Sequence, residues 1–221
     1  MTVGLAITTH QRPGILSKAL ANWAKVLDGV DMVVVIHDLH GEGVAKSKNR
    51  CIAALMDAGI EHHFYADDDV WAITPNWWKL YTEDPEPHLM HCWGKSRLVS
   101  DDGHHTTWTH PRGVMLYTHR SVIDKVGGMR LDFGPRCGGE HVEWSRRIHN
   151  AGFTTHRYQD LTAARHGIWH CEDYTRAAPS TIGSQQLEAA AQHRHEVYAK
   201  YRNSTDYVDY RITPDETACA Q

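Results

Sequence analysis

Residues 62–69 read HHFYADDD, a short apolar run that leads directly into three consecutive acids. A run of this kind, preceded by Gly59 and followed by charged residues, is typical of a buried strand that ends at a polar loop. Two earlier segments repeat the pattern, because residues 3–9 lead into a polar turn and residues 31–38 end on Asp38. Three such strands with helices between them predict a parallel sheet whose polar strand ends share one edge, where α/β folds bind their ligands.

Helical periodicity and turn residues divide the rest of the chain. The predicted helices cover residues 15–27, 45–58, 76–81, 121–126, 140–151 and 184–201. Further strands are predicted at residues 88–93, 113–117 and 161–169, and the first two flank a polar, hairpin-like excursion. The sequence thus predicts a single α/β domain with a mixed, mainly parallel central sheet over residues 1–183, a C-terminal helix packed on it over residues 184–203, and a loosely held tail over residues 204–221.

The composition is that of a globular chain of 221 residues, with 41% hydrophobic and 23% charged residues. No run approaches the roughly 18 apolar residues of a membrane-spanning helix, and Met1 leads into a strand rather than a signal segment, so we expect a cytoplasmic protein with no membrane partner. The five cysteines form no CxxC pair, which argues against zinc knuckles and a disulfide framework. A formal net charge of -4 gives no electrostatic footprint for nonspecific nucleic-acid binding.

The three acids at residues 67–69 carry the strongest chemical signal in the chain. Like charges a few ångströms apart repel, so a compensating cation is expected beside them. Carboxylate oxygens suit Mg²⁺ or Mn²⁺ bridging to a diphosphate better than they suit a closed zinc site. The alternative interpretation is a solvated acidic turn.

The order of motifs along residues 3–175 resembles that of the GT-A glycosyltransferases of the family 2 type. The motifs are TTHQRP at residues 8–13, Asp38, GVAKSKN at residues 43–49, DDD at residues 67–69 and GGE at residues 138–140. The resemblance implies a Rossmann-like fold of the nucleotide-diphospho-sugar transferases. It also implies a nucleotide-sugar donor, with a UDP-sugar favoured, and Mn²⁺ or Mg²⁺ as cofactor.

The same resemblance implies which residues hold the donor. Thr8, Arg12 and Asp38 would contact its base or ribose. Lys48 stands where the family usually carries an arginine, and it would face the diphosphate without a bidentate fork. Asp68 would lie beside the donor within the acid triplet.

The metal ligands follow from the resemblance in the same way. Asp69 would bind the metal, and Asp67 would bind it and extend toward the ribose and sugar. These families take a third ligand from a histidine on a strand beyond the GGE helix. His166 and His170 both qualify, with His166 slightly favoured by its spacing from the paired glycines. Tyr174 would then fall where the relatives carry a Pro-Tyr.

Residues 138–147 read GGEHVEWSRR, which resembles the GGEN-x-E-x-S-F-R pattern of the polypeptide GalNAc-transferases. Gly138 and Gly139 would let the backbone approach the sugar, and Glu140 would lie at a helix N-terminus, where an anion is favoured. His141 stands where inverting relatives carry an aspartate base and the retaining GalNAc-transferases carry an asparagine. The alternative interpretation is a capped surface helix, and Trp144 is open to either sugar stacking or core packing, as is Trp169.

These resemblances imply a soluble bacterial or phage hexosyl- or N-acetylhexosaminyltransferase that acts on a hydroxyl group of a protein or glycan. Retention of configuration is favoured over inversion by the GGEHVEWS segment. Three alternatives remain: transfer to a hydroxymethylated DNA base, nucleotidyl transfer, and a noncatalytic metal-binding module suggested by the 18 histidines. The pairs at residues 62–63 and 104–105 speak against the last, because adjacent strand residues would not both face one ion.

Overall fold

The structure is a computed structural model, and it describes residues 1–92, 97–109, 113–134, 138–165, 167–172 and 184–211. The strands are β1 Val3–Thr9, β2 Met32–His37, β3 His62–Asp67, β4 Val70–Ala72, β5 His88–Cys92, β6 Leu98–Asp101, β7 His105–Trp108, β8 Gly113–His119, β9 Gln159–Leu161 and β10 Trp169–Cys171. The helices are α1 Pro13–Trp23, α2 Val44–Asp57, α3 Trp77–Thr82, α4 Arg120–Val126, α5 Glu140–Asn150, α6 Thr162–Arg165 and α7 Ser184–Lys200, with a 3₁₀ turn at Leu131–Phe133.

The central sheet has five strands in the order β2-β1-β3-β8-β5. Strand β1 pairs in parallel with both β2 and β3, whereas β8 runs antiparallel to β3 and to β5. Four strands therefore point in one direction and only β8 points in the other. The mixed, mainly parallel sheet predicted from the sequence is confirmed.

Two apolar clusters cover the two faces of this sheet, which explains why its first strands read as continuous apolar runs. Successive residues of β3 point to opposite faces, so Phe64 joins the cluster under α1 and Tyr65 joins the cluster under α2. Gly4 lets α2 approach the sheet closely, since a Cβ there would lie 2.7 Å from the Leu55 side chain. The sheet is thereby fixed between helices and presents its carboxyl edge to solvent.

The single strand predicted for residues 161–169 is wrong. This segment contains the end of β9, the helix α6 and the start of β10. Strand β9 pairs with β7 of the β6–β7 hairpin, and β10 pairs antiparallel with β4, a short strand directly after the acid triplet. Each of these strands has three residues, too few for their periodicity to be recognised in the sequence.

The prediction of a loosely held tail is wrong for residues 204–211. Val208 forms a parallel bridge with Gly127, and Tyr210 is only 6% exposed. The guanidinium of Arg211 lies 2.7 Å from a carboxylate oxygen of Asp57. Residues 212–221 lie outside the described residues, and the domain boundaries at residues 183 and 203 stay a prediction.

Candidate functional site

The ends of β1, β2 and β3 lie side by side at the carboxyl edge of the central sheet. In the pairing register Thr8 is opposite both Ile36 and Asp67. The parallel arrangement therefore places the first strand tip, the loop after β2 and the acid triplet next to one another, as the sequence predicts. We call this region, defined by Thr8, Arg12, Asp38 and residues 67–69, the donor edge.

Cations from the chain itself compensate the acid triplet. Asp68 is 1% exposed, and its carboxylate accepts a hydrogen bond of 2.5 Å from Thr9 Oγ1 and forms an ion pair with Arg12. Arg12 Nη1 also lies 3.3 Å from Asp69 Oδ2. Protein side chains thus supply positive charge beside the acids, and the expectation of a bound cation at these three residues stays a prediction. Arg12 is used here to hold the acids, and its predicted contact with a donor stays a prediction.

Lys48 lies beneath the end of β3 rather than on the open surface. Its side chain is 2% exposed, its Nζ donates a 2.8 Å hydrogen bond to Ala66 O, and it lies 2.9 Å from Asp67 Oδ1. The Asp67 side chain itself is 36% exposed. The contact of Lys48 with a diphosphate thus stays a prediction, while its pairing with Asp67 is a contact that the sequence analysis missed.

Asp38 organises the loop that leads into α2. Its two carboxylate oxygens accept hydrogen bonds from the backbone N–H groups of Glu42 at 2.8 Å and Gly43 at 2.9 Å. Burial alone would raise the pKa of Asp38, but these hydrogen bonds and the nearby His10 outweigh it and hold the pKa below its ordinary value. The carboxylate is therefore charged and fixed at the donor edge, where its predicted role toward a ribose stays a prediction.

The two glycines before α5 serve different purposes. Gly138 has a φ of +64° and open space around it, whereas Gly139 has a φ of +103° and lies directly against α7. A Cβ on Gly139 would overlap the Tyr198 hydroxyl, which donates a 3.0 Å hydrogen bond to Gly139 O. Gly139 therefore admits α7, and its predicted role in letting the backbone approach the sugar stays a prediction. The donor role of Gly138 stays a prediction.

Glu140 and His141 begin α5 and lie near the donor edge. Glu140 is 3% exposed, and burial alone would raise its pKa, but contact with His141 and the charge of Lys48 hold the pKa below its ordinary value. His141 Nδ1 lies 3.6 Å from Glu140 Oε1. The His141 ring also packs against Gly113, where a Cβ would come within 2.7 Å of it. Because β8 runs antiparallel, its first residue lies at the same edge as the acid triplet.

Strand β10 carries His170 to the acid triplet, whereas His166 lies outside the described residues, as does Tyr174. In the β10–β4 pairing His170 is opposite Trp71, and the next backbone N–H, of Glu172, donates a 2.9 Å hydrogen bond to Asp69 O. This pairing places the end of β10 beside the turn that carries Asp69. The sequence analysis did not name Glu172 as a neighbour of the acid triplet. Its position two residues after the candidate ligand His170 was the signal that could have identified it.

Trp144 and Trp169 are core residues, so their sugar-stacking interpretation is wrong. They are 0% and 3% exposed. Each indole N–H is also used within the protein: Trp144 donates to Gly127 O at 3.0 Å and Trp169 donates to the Tyr81 hydroxyl at 2.8 Å.

A separate cluster contradicts the expectation about adjacent histidines. Asp84, His104 and His105 are, within the described part of the chain, the one group of three candidate ligands whose donor atoms all lie within 4.8 Å of one another. By contrast, the pair His62-His63 is built into the fold, and His63 hydrogen-bonds to Tyr65 and to Ile60 O. The acid triplet and His170 do not reach this spacing.

Comparisons with known proteins support the fold. No protein-family model matches the chain, and no curated protein sequence matches it. A mutant β1,4-galactosyltransferase 7 from Drosophila, in complex with manganese, UDP-Gal and xylobiose, superimposes with a TM-score of 0.54 at 14% identity, over 86% of this chain and 80% of that one. The chain therefore has the GT-A fold predicted from its sequence.

Two further structures align less completely. A mannosyltransferase from Pyrobaculum calidifontis with GDP-Man and Mn²⁺ gives a TM-score of 0.48 at 12% identity, and the match covers 68% of this chain and 52% of that one. GalNAc-T7 with UDP, GalNAc and Mn²⁺ gives 0.46 at 13% identity, over 69% and 41%. In the part of the chain that the structure describes, no helix is both long and apolar enough to cross a bilayer.

Proposed function

We propose that the chain is a metal-dependent glycosyltransferase that moves a sugar from a nucleoside diphosphate, with a UDP-sugar favoured, to a hydroxyl group of a protein or glycan. The observation that carries this proposal is the meeting of two charged elements at one edge of a GT-A sheet. One is the acid triplet at the end of β3, and the other is the pair Glu140 and His141 at the start of α5, whose histidine ring packs against Gly113 at the same edge.

The residues at the donor edge fit a divalent cation. Asp67 is partly exposed, Asp69 follows it by two residues, and His170 lies on β10, whose end is joined to Asp69 by the hydrogen bond from Glu172 N to Asp69 O. Together they offer the oxygen-rich set that Mn²⁺ and Mg²⁺ prefer, with one imidazole, and either His170 or His166 would complete it. When bound, the metal would stabilise the negative charge of the departing diphosphate.

The protein's own groups set the charge balance at this edge. Lys48 and Arg12 carry two positive charges against the three acids of the triplet, so the cluster keeps about one negative charge without a metal. The Arg12 guanidinium pairs with both Asp68 and Asp69, and both carboxylates are nearly buried although the arginine side chain is 38% exposed. We infer that Arg12 keeps these carboxylates in place when the donor and its cation bind.

The pair Glu140 and His141 would handle the acceptor. In the transfer the acceptor hydroxyl oxygen forms a bond to the anomeric carbon, the bond from that carbon to the diphosphate breaks, and the hydroxyl proton leaves. His141 is 22% exposed and contacts Glu140, so its imidazole would receive that proton in an inverting reaction while the carboxylate orients the ring. In a retaining reaction Glu140 would instead align with the sugar or the acceptor, and His141 would be dispensable.

The stereochemical proposal follows the sequence resemblance and favours retention. Donor hydrolysis tests the activity first, because slow release of UDP from a panel of UDP-sugars needs no known acceptor. The anomeric configuration of the product, read by NMR, then decides between the two reactions. Retention predicts that Glu140→Gln abolishes turnover and that His141→Asn is mild.

The opposite result would be an inverted product together with a His141→Asn variant whose turnover falls by roughly 10²–10⁴ while donor binding is kept. A panel without any donor hydrolysis, combined with unchanged thermal stability in UDP plus Mn²⁺, would refute the transferase itself. Inclusion of duplex DNA containing hydroxymethylated bases among the acceptors tests the modified-base alternative in the same assay.

A further inference from the structure

Asp84, in the loop after α3, faces the tip of the β6–β7 hairpin. Its Oδ2 lies 3.0 Å from His104 Nε2 and 3.0 Å from His105 Nε2. The two imidazole rings meet edge to face with their centroids 4.5 Å apart. Three good ligand atoms thus converge on one point although they come from two separate loops.

The turn at the hairpin tip explains how adjacent histidines reach one carboxylate. Strand β7 begins only at His105, so His104 belongs to the turn and the alternation of a strand does not apply to it. Gly103 takes a φ of +89°, and Asp102 Oδ1 accepts hydrogen bonds from the backbone N–H groups of both histidines at 2.8 and 2.7 Å. The turn is therefore fixed in the conformation that aims both rings at Asp84.

Burial makes the carboxylate of Asp84 an unusual group. Its side chain is 0% exposed, and its ion-pair partners among the described residues are the two histidines, with no lysine or arginine. A buried carboxylate without a permanent cation is costly, since its desolvation is not offset by a fixed positive charge. The backbone N–H of Glu86 donates a 2.9 Å hydrogen bond to Asp84 Oδ1 and orients it, as second-sphere donors do for metal-binding carboxylates.

We propose that Asp84, His104 and His105 form a binding site for a divalent transition metal, with Zn²⁺ as the ion that this ligand set favours. Two imidazoles and one carboxylate form a ligand set found in zinc sites, and water fills the fourth position. Zinc bonds of about 2.0–2.1 Å place tetrahedral ligands about 3.3 Å apart, so the observed separations of 3.0 Å need to open by only a few tenths of an ångström. This proposal does not depend on the transferase assignment.

The site lies at the opposite end of the sheet from the acid triplet. Asp84 precedes β5, whose first residues lie at the edge where β3 begins, and His119 N at the end of β8 donates to Pro87 O in the same loop. A bound ion would connect this loop to the hairpin tip. Its positive charge would neutralise the buried carboxylate of Asp84. We therefore expect a stabilising metal with no part in donor binding.

Zinc titration of the metal-free protein without nucleotide tests the proposal. The competition assay should show one Zn²⁺ per chain, and Co²⁺ in its place should give visible absorption bands of a four-coordinate ion. Asp84→Asn and His104→Ala should each weaken Zn²⁺ binding by more than about 100-fold, because loss of a direct ligand exceeds the loss of a second-sphere partner. His156→Ala, which removes another exposed histidine, should bind Zn²⁺ like the parent.

The Asp69→Ala variant separates this site from the donor edge, because it should bind Zn²⁺ unchanged. Equal zinc affinity of the parent, Asp84→Asn and His104→Ala would overturn the proposal, as would a parent protein that takes up no zinc. A zinc affinity that falls in His104→Ala but not in Asp84→Asn would also overturn it, since it would indicate an exposed histidine pair without the buried carboxylate.

Discussion

Each end of the central sheet contains a buried carboxylate, and the side chains that face this carboxylate differ between the two ends. At the donor edge, carboxylates are paired with permanent cations: the buried Asp68 with Arg12, and the partly exposed Asp67 with Lys48. At the other end, the buried carboxylate of Asp84 faces two imidazoles and, among the described residues, no lysine or arginine. The first end is therefore compensated by the chain itself, whereas the second offers a ligand set for a metal.

The proposed function would account for the fixed positive charges of the donor edge. A diphosphate and a divalent cation would bind there together, and Arg12 and Lys48 would balance the acids both before and after binding. No diphosphate is proposed to bind at the opposite end of the sheet, and two of the histidines there are buried, neutral core residues. His63 and His88 sit at the starts of β3 and β5, and burial lowers the pKa of each to about 4. Four predictions test this contrast, from the largest effect to the smallest.

The buried histidines His63 and His88 should make the protein less stable in mild acid. Unfolded histidine titrates near pH 6.5, while folded His63 and His88 stay neutral down to about pH 4. Between these values the unfolded chain binds protons that the folded chain does not, so the free energy of unfolding falls as the pH falls. By pH 5 the two groups should together remove about 4 kcal/mol relative to pH 7. Urea denaturation at both pH values measures this loss.

A matched pair of variants assigns that loss to its source. In His88→Gln the difference between pH 7 and pH 5 should shrink by about half, whereas His40→Gln, an exposed change, should leave it as in the parent. A free energy of unfolding that is the same at pH 7 and pH 5 would show that the buried histidines already bind protons in the folded state.

The permanent ion pairs of the donor edge should contribute more to stability than the Asp84 cluster does without metal. Asp68→Asn leaves Arg12 without its buried partner and should lower the free energy of unfolding by about 3 kcal/mol. Asp84→Asn keeps a hydrogen-bonding side chain beside the two imidazoles and should cost less than about 1 kcal/mol in chelator. Denaturant unfolding at pH 7.5 measures both losses in free energy of unfolding. Equal losses would contradict the prediction that the permanent ion pairs contribute more.

Metal-dependent nucleotide binding should depend on the donor edge alone. Asp69→Ala should lower the affinity for UDP in the presence of Mn²⁺ by at least about 100-fold, since losing a ligand costs more than losing a second-sphere partner. Asp67→Ala should weaken it less, and Asp84→Asn should match the parent. Calorimetric titration of UDP with and without Mn²⁺ measures these affinities. An Asp69→Ala protein that binds UDP and Mn²⁺ like the parent would remove the acid triplet from the site.

Helix α7 packs against the start of α5, and variants of the paired glycines report on this packing. Gly139→Ala forces a side chain into a positive φ and into Tyr198, so it should lower the free energy of unfolding by about 2 kcal/mol. Gly138→Ala, with a positive φ but open space, should cost about 1 kcal/mol. Thermal unfolding of the two variants measures the difference. A larger loss for Gly138→Ala would contradict the packing role given to Gly139.

The sequence by itself determined the frame of this protein. The apolar runs at residues 3–9, 31–38 and 62–69, each followed by polar residues, predicted parallel strands whose ends share an edge, and the structure confirms this. Such signals are local, because a strand buried on both faces must be apolar throughout and its loop must be polar. The start of α5 at Glu140 was also predicted from local signals, because two glycines precede it and acids occupy its first turn.

Only the tertiary structure decided which groups meet. Thr9 and Asp68 are 59 residues apart, as are Gly139 and Tyr198, and His105 reaches Asp84 across 21 residues. The strands β4, β9 and β10 have three residues each and exist because of partners distant in the chain. Periodicity records whether a side chain is buried but not what it is buried against, so the pairing of the acids with Arg12 and Lys48, and of two adjacent histidines with one carboxylate, required the folded chain.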